Sequence, residues 1–414
     1  MKRPLTIAAV VSLFLLLPLV GGAGLIWWQR GEAAKKWPTL DDEPPLVLKA
    51  PPLPEDEQAW SLVLEALEHY DADNDGAQEQ LSAIGLPVNA SLWAHQQVSL
   101  ERIKQAMDRP SLRTPYRKHL EDDFPSLLPL MQVGRNQVLR GWESAESGLL
   151  TEAVDDMLLT DALGTRLIDG SEDLIIVMIG VALTEIALEE LEELIVLLPP
   201  EEPGVLVHAL AGLKSGYPRS TAAAARGVAR DCTMFETTYR EFGDHPERLL
   251  TESSMDGETT PYPIQSRIAA LRYDADATIA QHRKVCRAAV SRMEAPPYDR
   301  ASDYAPPIQP SGVYNDIGSV LLSVGSPDYT RFVDQERSAV VRRSGLMVLT
   351  AARLYALNTG AQPATLDALV PDYLDAVPVD GFTGQPMALT GTTLTTGAED
   401  GDVPLSWELL PLSR

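Results

Sequence analysis

Two cysteines in 414 residues are too few for a disulfide scaffold and too few for a four-cysteine zinc site. Aromatic residues are scarce, at 6%. The six histidines stand apart in the sequence, with no HExxH or CxxC motif anywhere. Positive charge is also short. There are 34 Lys and Arg against 59 Asp and Glu, a net charge of −25. A nucleic-acid surface needs a basic footprint, so that class is set aside. Adsorption of the whole body to anionic lipid is disfavoured for the same reason. What remains is a soluble-type composition, 45% hydrophobic and 22% charged, long enough for two or three domains.

One long hydrophobic run is present. Leu5 to Trp28 are uncharged and mostly apolar. As a helix the run would reach about 36 Å, against a bilayer core of roughly 30 Å. Lys2 and Arg3 precede it, and Trp27 and Trp28 close it at the position of interfacial aromatics. We read it as a retained membrane anchor. Cleavage after Ala23, between small residues, is the rival reading, and it would leave an apolar new N-terminus. Flanking charges nearly balance, so orientation is taken from the signal-like character of the segment. The body is expected outside the cytoplasm, in the periplasm. An oxidising compartment makes Cys232 and Cys286 a disulfide candidate; two free core thiols are the competing reading.

Six prolines between Pro38 and Pro54 suggest an extended stalk. Helical patterns follow: Glu55 to Tyr70, Leu92 to Met107 behind an N-capping Ser91, Phe124 to Arg140, and Glu143 to Ile168. The stretch Glu172 to Leu198 carries Leu174, Met178, Val181, Leu188, Leu191, Ile195 and Leu198 at helical steps, and its first third is apolar all round. Five glutamates between Glu185 and Glu193 argue against a second span and read as a solvated face. Helices are also expected over Ala222 to Phe242 and Ser266 to Met293, each placing its cysteine on an apolar stripe. A second proline-rich stretch, Pro296 to Pro310, then separates a C-terminal unit. That unit has a helix from Ala339 to Leu357, a stop at Gly360 and short alternating strands around Leu394, Leu405, Trp407 and Leu409.

The expected fold is therefore mainly α: an N-terminal transmembrane helix (residues 1–30), a proline-rich linker (31–54), a helical domain (55–295), a connector (296–338) and a small α+β cap (339–414). The cap holds Leu354, Tyr355, Leu357 and Gly360, then Pro363, Leu366, Leu369, Val370, Pro371, Tyr373 and Leu374, then Pro378, Asp380, Phe382, Gly384 and Pro386. This pattern resembles a module at the end of many secreted or membrane-anchored bacterial proteins, common in planctomycetes and myxobacteria. Its last part also resembles the C-terminal loop of type II secretion pseudopilins, although Asp380-Gly381-Phe382 lacks that loop's proline. The resemblance covers about a tenth of the chain. It implies an envelope location and a helix-plus-strand cap, and it supplies no catalytic residue.

No constellation points to chemistry. Asp71 to Gly76 matches the first half of an EF-hand loop, but Ser82 stands where the bidentate Glu belongs, so the segment reads as a turn. His282, on an apolar face, reads as a satisfied core group. Gly212 to Gly216 has its serine one place late for a nucleophile elbow. No catalytic, cofactor or metal residue is nominated. The expectation is a membrane-anchored helical scaffold or partner-binding protein, attached through its N-terminal helix and contacting another protein. The alternative is an extracytoplasmic hydrolase whose Asp/Glu dyad assembles only in three dimensions.

Overall fold

The computed structural model describes residues 28–43, 45–46, 59–73, 90–114, 127–171, 173–216, 221–245, 251–253, 259–261, 273–294, 308–309, 314–326, 329–396 and 405–409. The expected membrane span lies almost wholly outside them, as do residues 74–76 of the EF-hand-like turn, whose Asp71 to Asp73 continue the helix that starts at Trp60. No helix among the described residues is long and apolar enough to cross a membrane.

The fold is mainly helical, with a small C-terminal antiparallel sheet. Helices α1 (Trp60–Asp73), α2 (Ala90–Met107), α3 (Leu128–Glu146), α4 (Leu150–Gly170), α5 (Leu174–Leu197), α6 (Pro203–Ser215) and α7 (Thr221–Asp244) come first. Strands β1 (Thr251–Ser253) and β2 (Thr259–Pro261) form an antiparallel hairpin. Then follow α8 (Ala275–Glu294), α9 (Asp316–Gly325) and α10 (Tyr329–Thr359). A 3-10 turn at Leu366–Leu369 leads to β3 (Ala388–Thr390), β4 (Thr393–Thr395) and β5 (Ser406–Glu408).

Helices α4 and α5 lie at the centre and touch backbone to backbone. A Cβ on Gly164 would stand 2.5 Å from the Gly180 carbonyl oxygen, and one on Gly180 would stand 2.6 Å from that of Gly164. Only glycine permits this approach. Asp173 starts α5 by accepting from the Ile175 amide at 3.0 Å, an ordinary aspartate N-cap. At the other end, Pro199 and Pro200 prevent continuation. Arg353 of α10 donates to the carbonyls of Ile195 and Leu198, and to that of Val196 at 3.3 Å. A cation thus sits where the last-turn carbonyls of α5 lack partners.

Several expectations need correcting. Met178 and Ile175 are about half exposed, so the start of α5 is covered on fewer sides than its composition implies. Position 91 falls inside α2, which begins at Ala90, so Ser91 does not cap it. Helix α6 was not delimited from the sequence, which gave only a helical context around Gly212 to Gly216; the Pro-Pro stop before it hides its start. The connector holds α9 and the first ten residues of α10. The polar look of Asp334, Glu336 and Arg337 hid the latter, yet Glu336 and Arg337 are buried. The glutamates of α5 are not all solvated either. Glu190 accepts from the Trp142 indole at 2.7 Å, and Glu192 pairs with Arg342 at 3.2 Å.

The C-terminal unit shares one core with α4, α5 and α6. Phe382, Leu369, Leu374, Leu394 and Trp407 pack with Leu188, Leu206 and Leu349. The sheet has order β3-β4-β5, and Leu389, Leu394 and Trp407 are in register across it. Trp407 lies flat on Gly345 of α10, where a Cβ would come within 2.4 Å of the ring. The Asp380 turn is closed by its own carboxylate, which accepts from the Phe382 amide and the Thr383 hydroxyl, each at 2.9 Å. Gly384 takes the left-handed conformation, with φ +69. Gly381 does not; its place is set by Val341, 3.0 Å from where a Cβ would be.

Phe382 is 7% exposed in this shared core. Its replacement by Ala should cost about 3–5 kcal/mol. Urea unfolding of the soluble body, with and without the substitution, measures this; an unchanged midpoint would show that the ring is not a structural plug.

Candidate functional site

The strongest concentration of chemistry-bearing side chains lies between α7 and α8. Both helices are amphipathic, and their apolar stripes face each other around Val228, Cys232, Val285 and Cys286. The two cysteines are joined in a disulfide with a Cα–Cα distance of 6.4 Å. They are 1% and 0% exposed. His282 stands one turn before Cys286 on the same face of α8, and it too is 0% exposed. Its Nε2 lies 3.7 Å from the Cys286 sulfur. Donor atoms of Cys232, His282 and Cys286 all fall within 4.8 Å of one another.

Three neighbouring features hold the imidazole. Its Nε2–H donates to the Gly325 carbonyl at the end of α9, at 3.2 Å. Phe235 and Tyr239 of α7 meet the ring edge-on, with centroids 5.5 and 5.3 Å away. Gly325 is required for this closeness, since a Cβ there would stand 2.4 Å from the Tyr239 hydroxyl. The start of α9 is fixed independently. Asn315, at φ 48, accepts from the Asp274 amide at 2.9 Å and donates to the Thr278 hydroxyl at 3.0 Å. Arg283, next to His282, makes a buried two-pronged pair with Glu236 at 2.7 and 2.8 Å, which fixes the angle between α7 and α8.

Burial pushes the His282 imidazole down to about 4, only partly offset by the Gly325 bond, so it is neutral near pH 7. With the proton on Nε2, the Nδ1 lone pair has no hydrogen-bond partner. The satisfied core histidine expected from the sequence is therefore half unsatisfied. The signal available in the sequence was the His282-x-x-x-Cys286 spacing, which puts both side chains on one helix face. What no spacing could supply is Cys232, which lies 54 residues away.

A second candidate is an open cleft of about 460 Å³ lined by Trp37, Leu40, Asp41, Asp274, Asp276 and Tyr314. It brings carboxylates together, as an acidic hydrolase would require. Asp274 is nonetheless committed to structure. One oxygen caps α8 through the Ala277 amide at 3.0 Å, and the other accepts from the Tyr314 hydroxyl at 2.5 Å. The buried carboxylates Asp156 and Asp161 and the half-buried Glu236 are each paired with an arginine, namely Arg140, Arg343 and Arg283.

No protein-family model, characterised protein or solved structure matches this chain. The geometry around Cys232, His282 and Cys286 is thus the main basis for a functional argument.

Two outcomes are expected at this site. The bridge closes a loop of 54 residues, so replacing both cysteines by Ala should remove about 4 kcal/mol of stability on the chain-entropy estimate. Denaturant unfolding of the oxidised protein and the double variant checks this; equal stability would reject it. His282 titrates near 4 in the native state and near 6.5 when unfolded. Its contribution is complete above pH 6.5. It is lost as pH falls toward 4, because the unfolded chain takes up a proton that the native one does not. Between pH 7 and pH 5 the oxidised protein should lose about 2 kcal/mol more than its His282→Gln variant. Parallel pH profiles for the two would refute the assignment.

Proposed function

We propose that the protein is a membrane-anchored helical scaffold or partner-binding protein of the bacterial cell envelope, with its body on the extracytoplasmic side. The observation that carries this reading is the Cys232–Cys286 bridge, which joins the two helices of a buried core. A reducing cytosol keeps such thiols apart, whereas an envelope compartment lets them pair. The apolar run from Leu5 to Trp28 and the resemblance of the cap to modules of secreted and anchored proteins support the same location. Support for a protein partner comes from the exposed pair Ile175 and Met178, one turn apart on α5 and 47% and 48% accessible. The net charge of −25 keeps the body off anionic lipid headgroups and directs contact toward proteins.

Washing native membranes with alkaline carbonate tests the anchor. The protein should stay in the pellet with its N-terminal segment intact. Its thiols should resist alkylation until a reductant is added. Release into the supernatant with Gly24 as the first residue would overturn the anchor, and two freely alkylated cysteines in acid-quenched cells would overturn the compartment.

A further inference from the structure

The bridged sulfurs and the neighbouring imidazole are also a set of soft metal ligands. We propose that Cys232, His282 and Cys286 form a metal site for Zn2+ or a similar thiophilic divalent cation, occupied when the disulfide is reduced. In a tetrahedral zinc site with Zn–S near 2.3 Å and Zn–N near 2.0 Å, adjacent sulfur and nitrogen ligands stand roughly 3.6 Å apart. The His282 Nε2 to Cys286 Sγ distance is 3.7 Å. Two residues four apart on one helix and a third from a facing helix make an arrangement in which each backbone is already fixed. Breaking the sulfur–sulfur bond frees the Cys232 side chain to rotate toward ligand spacing, while Cys286 keeps its place beside Nε2.

The chemistry balances with one reductant and one cation. A dithiol supplies two electrons and two protons; it becomes a disulfide, and the protein bridge becomes two thiols. The cation then displaces both thiol protons to solvent. Ligation through Nε2 places the ring proton on Nδ1, in exchange for the bond to Gly325. The charge count selects the ion. Two thiolates, a neutral imidazole and Zn2+ sum to zero, which an apolar interior tolerates. The same donors around Cu+ would leave a net negative charge. Phe235 and Tyr239 border the imidazole, and the three protein donors leave one position of a four-coordinate ion to an exogenous ligand. The oxidised bridge and the metal-bound site are mutually exclusive states of the same three side chains, so occupancy reports the redox poise. The inference does not depend on where the protein resides.

Full-length protein in detergent, reduced with a phosphine under anaerobic conditions, is titrated with Co2+ alone. One Co2+ per chain should bind, with sulfur-to-cobalt charge-transfer absorption and tetrahedral d–d bands, and Zn2+ should displace it. Cys232→Ser and Cys286→Ser should each lose most of the charge-transfer intensity. His282→Gln should keep it but bind more weakly, because one of the three protein donors is gone. The oxidised protein should bind none. Absence of charge-transfer bands in reduced protein that circular dichroism shows to be folded would overturn the proposal. So would equal binding by a Cys232→Ala/Cys286→Ala double variant. If reduction unfolds the chain, the expected result is refolding on addition of Zn2+, and failure to refold counts equally against the site.

Discussion

The close crossing of α4 and α5 at Gly164 and Gly180 is the constraint on which the rest of the structure depends. Because the two backbones touch, the pair behaves as one thick slab that carries apolar stripes on its other faces. Each face organises a different core. Met157, Leu188 and Leu191 pack with α6, α10 and the C-terminal cap. Ile168, Val177 and Val181 pack with α7 and α8. Leu163, Leu167, Ile176 and Leu183 pack with α1, α2 and α3. A side chain larger than hydrogen at either glycine would separate the helices, and close-packed interiors do not absorb such shifts cheaply.

Helix α10 ties these layers together by charge as well as by packing. Its Phe332 end lies in the disulfide-bearing core, and its Leu346 to Leu354 stretch lies in the cap core. Between them Arg343 pairs with Asp161 of α4 and donates to Thr165 at 3.0 Å, all largely buried. Removing one partner of such a pair leaves an uncompensated charge, a cost of about 3–5 kcal/mol. Arg353 then closes the end of α5. The cap is thus an extension of the helical body, in keeping with the little area that three short strands can bury alone.

The Cys232–His282–Cys286 cluster sits among several cross-links of this frame. The disulfide, the Arg283–Glu236 pair and the Asn315 bonds at the start of α9 hold α7, α8 and α9 against one another. An imidazole with an unused lone pair is costly in such a place. A structural bridge alone gives no reason for it.

The amino-acid sequence by itself determined the helical class, the long apolar period of α5, the Gly360 stop and the C-terminal strand alternation, because these depend on local period and backbone chemistry. It also placed both cysteines on buried stripes. It did not delimit α6, and it did not determine α9 or the first turns of α10, where short length, prolines or charged letters mask a helix that tertiary packing makes favourable. The masked charges Glu336 and Arg337 look exposed in one dimension and are buried in three. The three-residue donor cluster was half legible. His282 and Cys286 share a face by spacing alone, but Cys232 joins them only because α7 packs on α8 through the second core. That contact spans 54 residues, and no local rule of backbone or periodicity reaches so far.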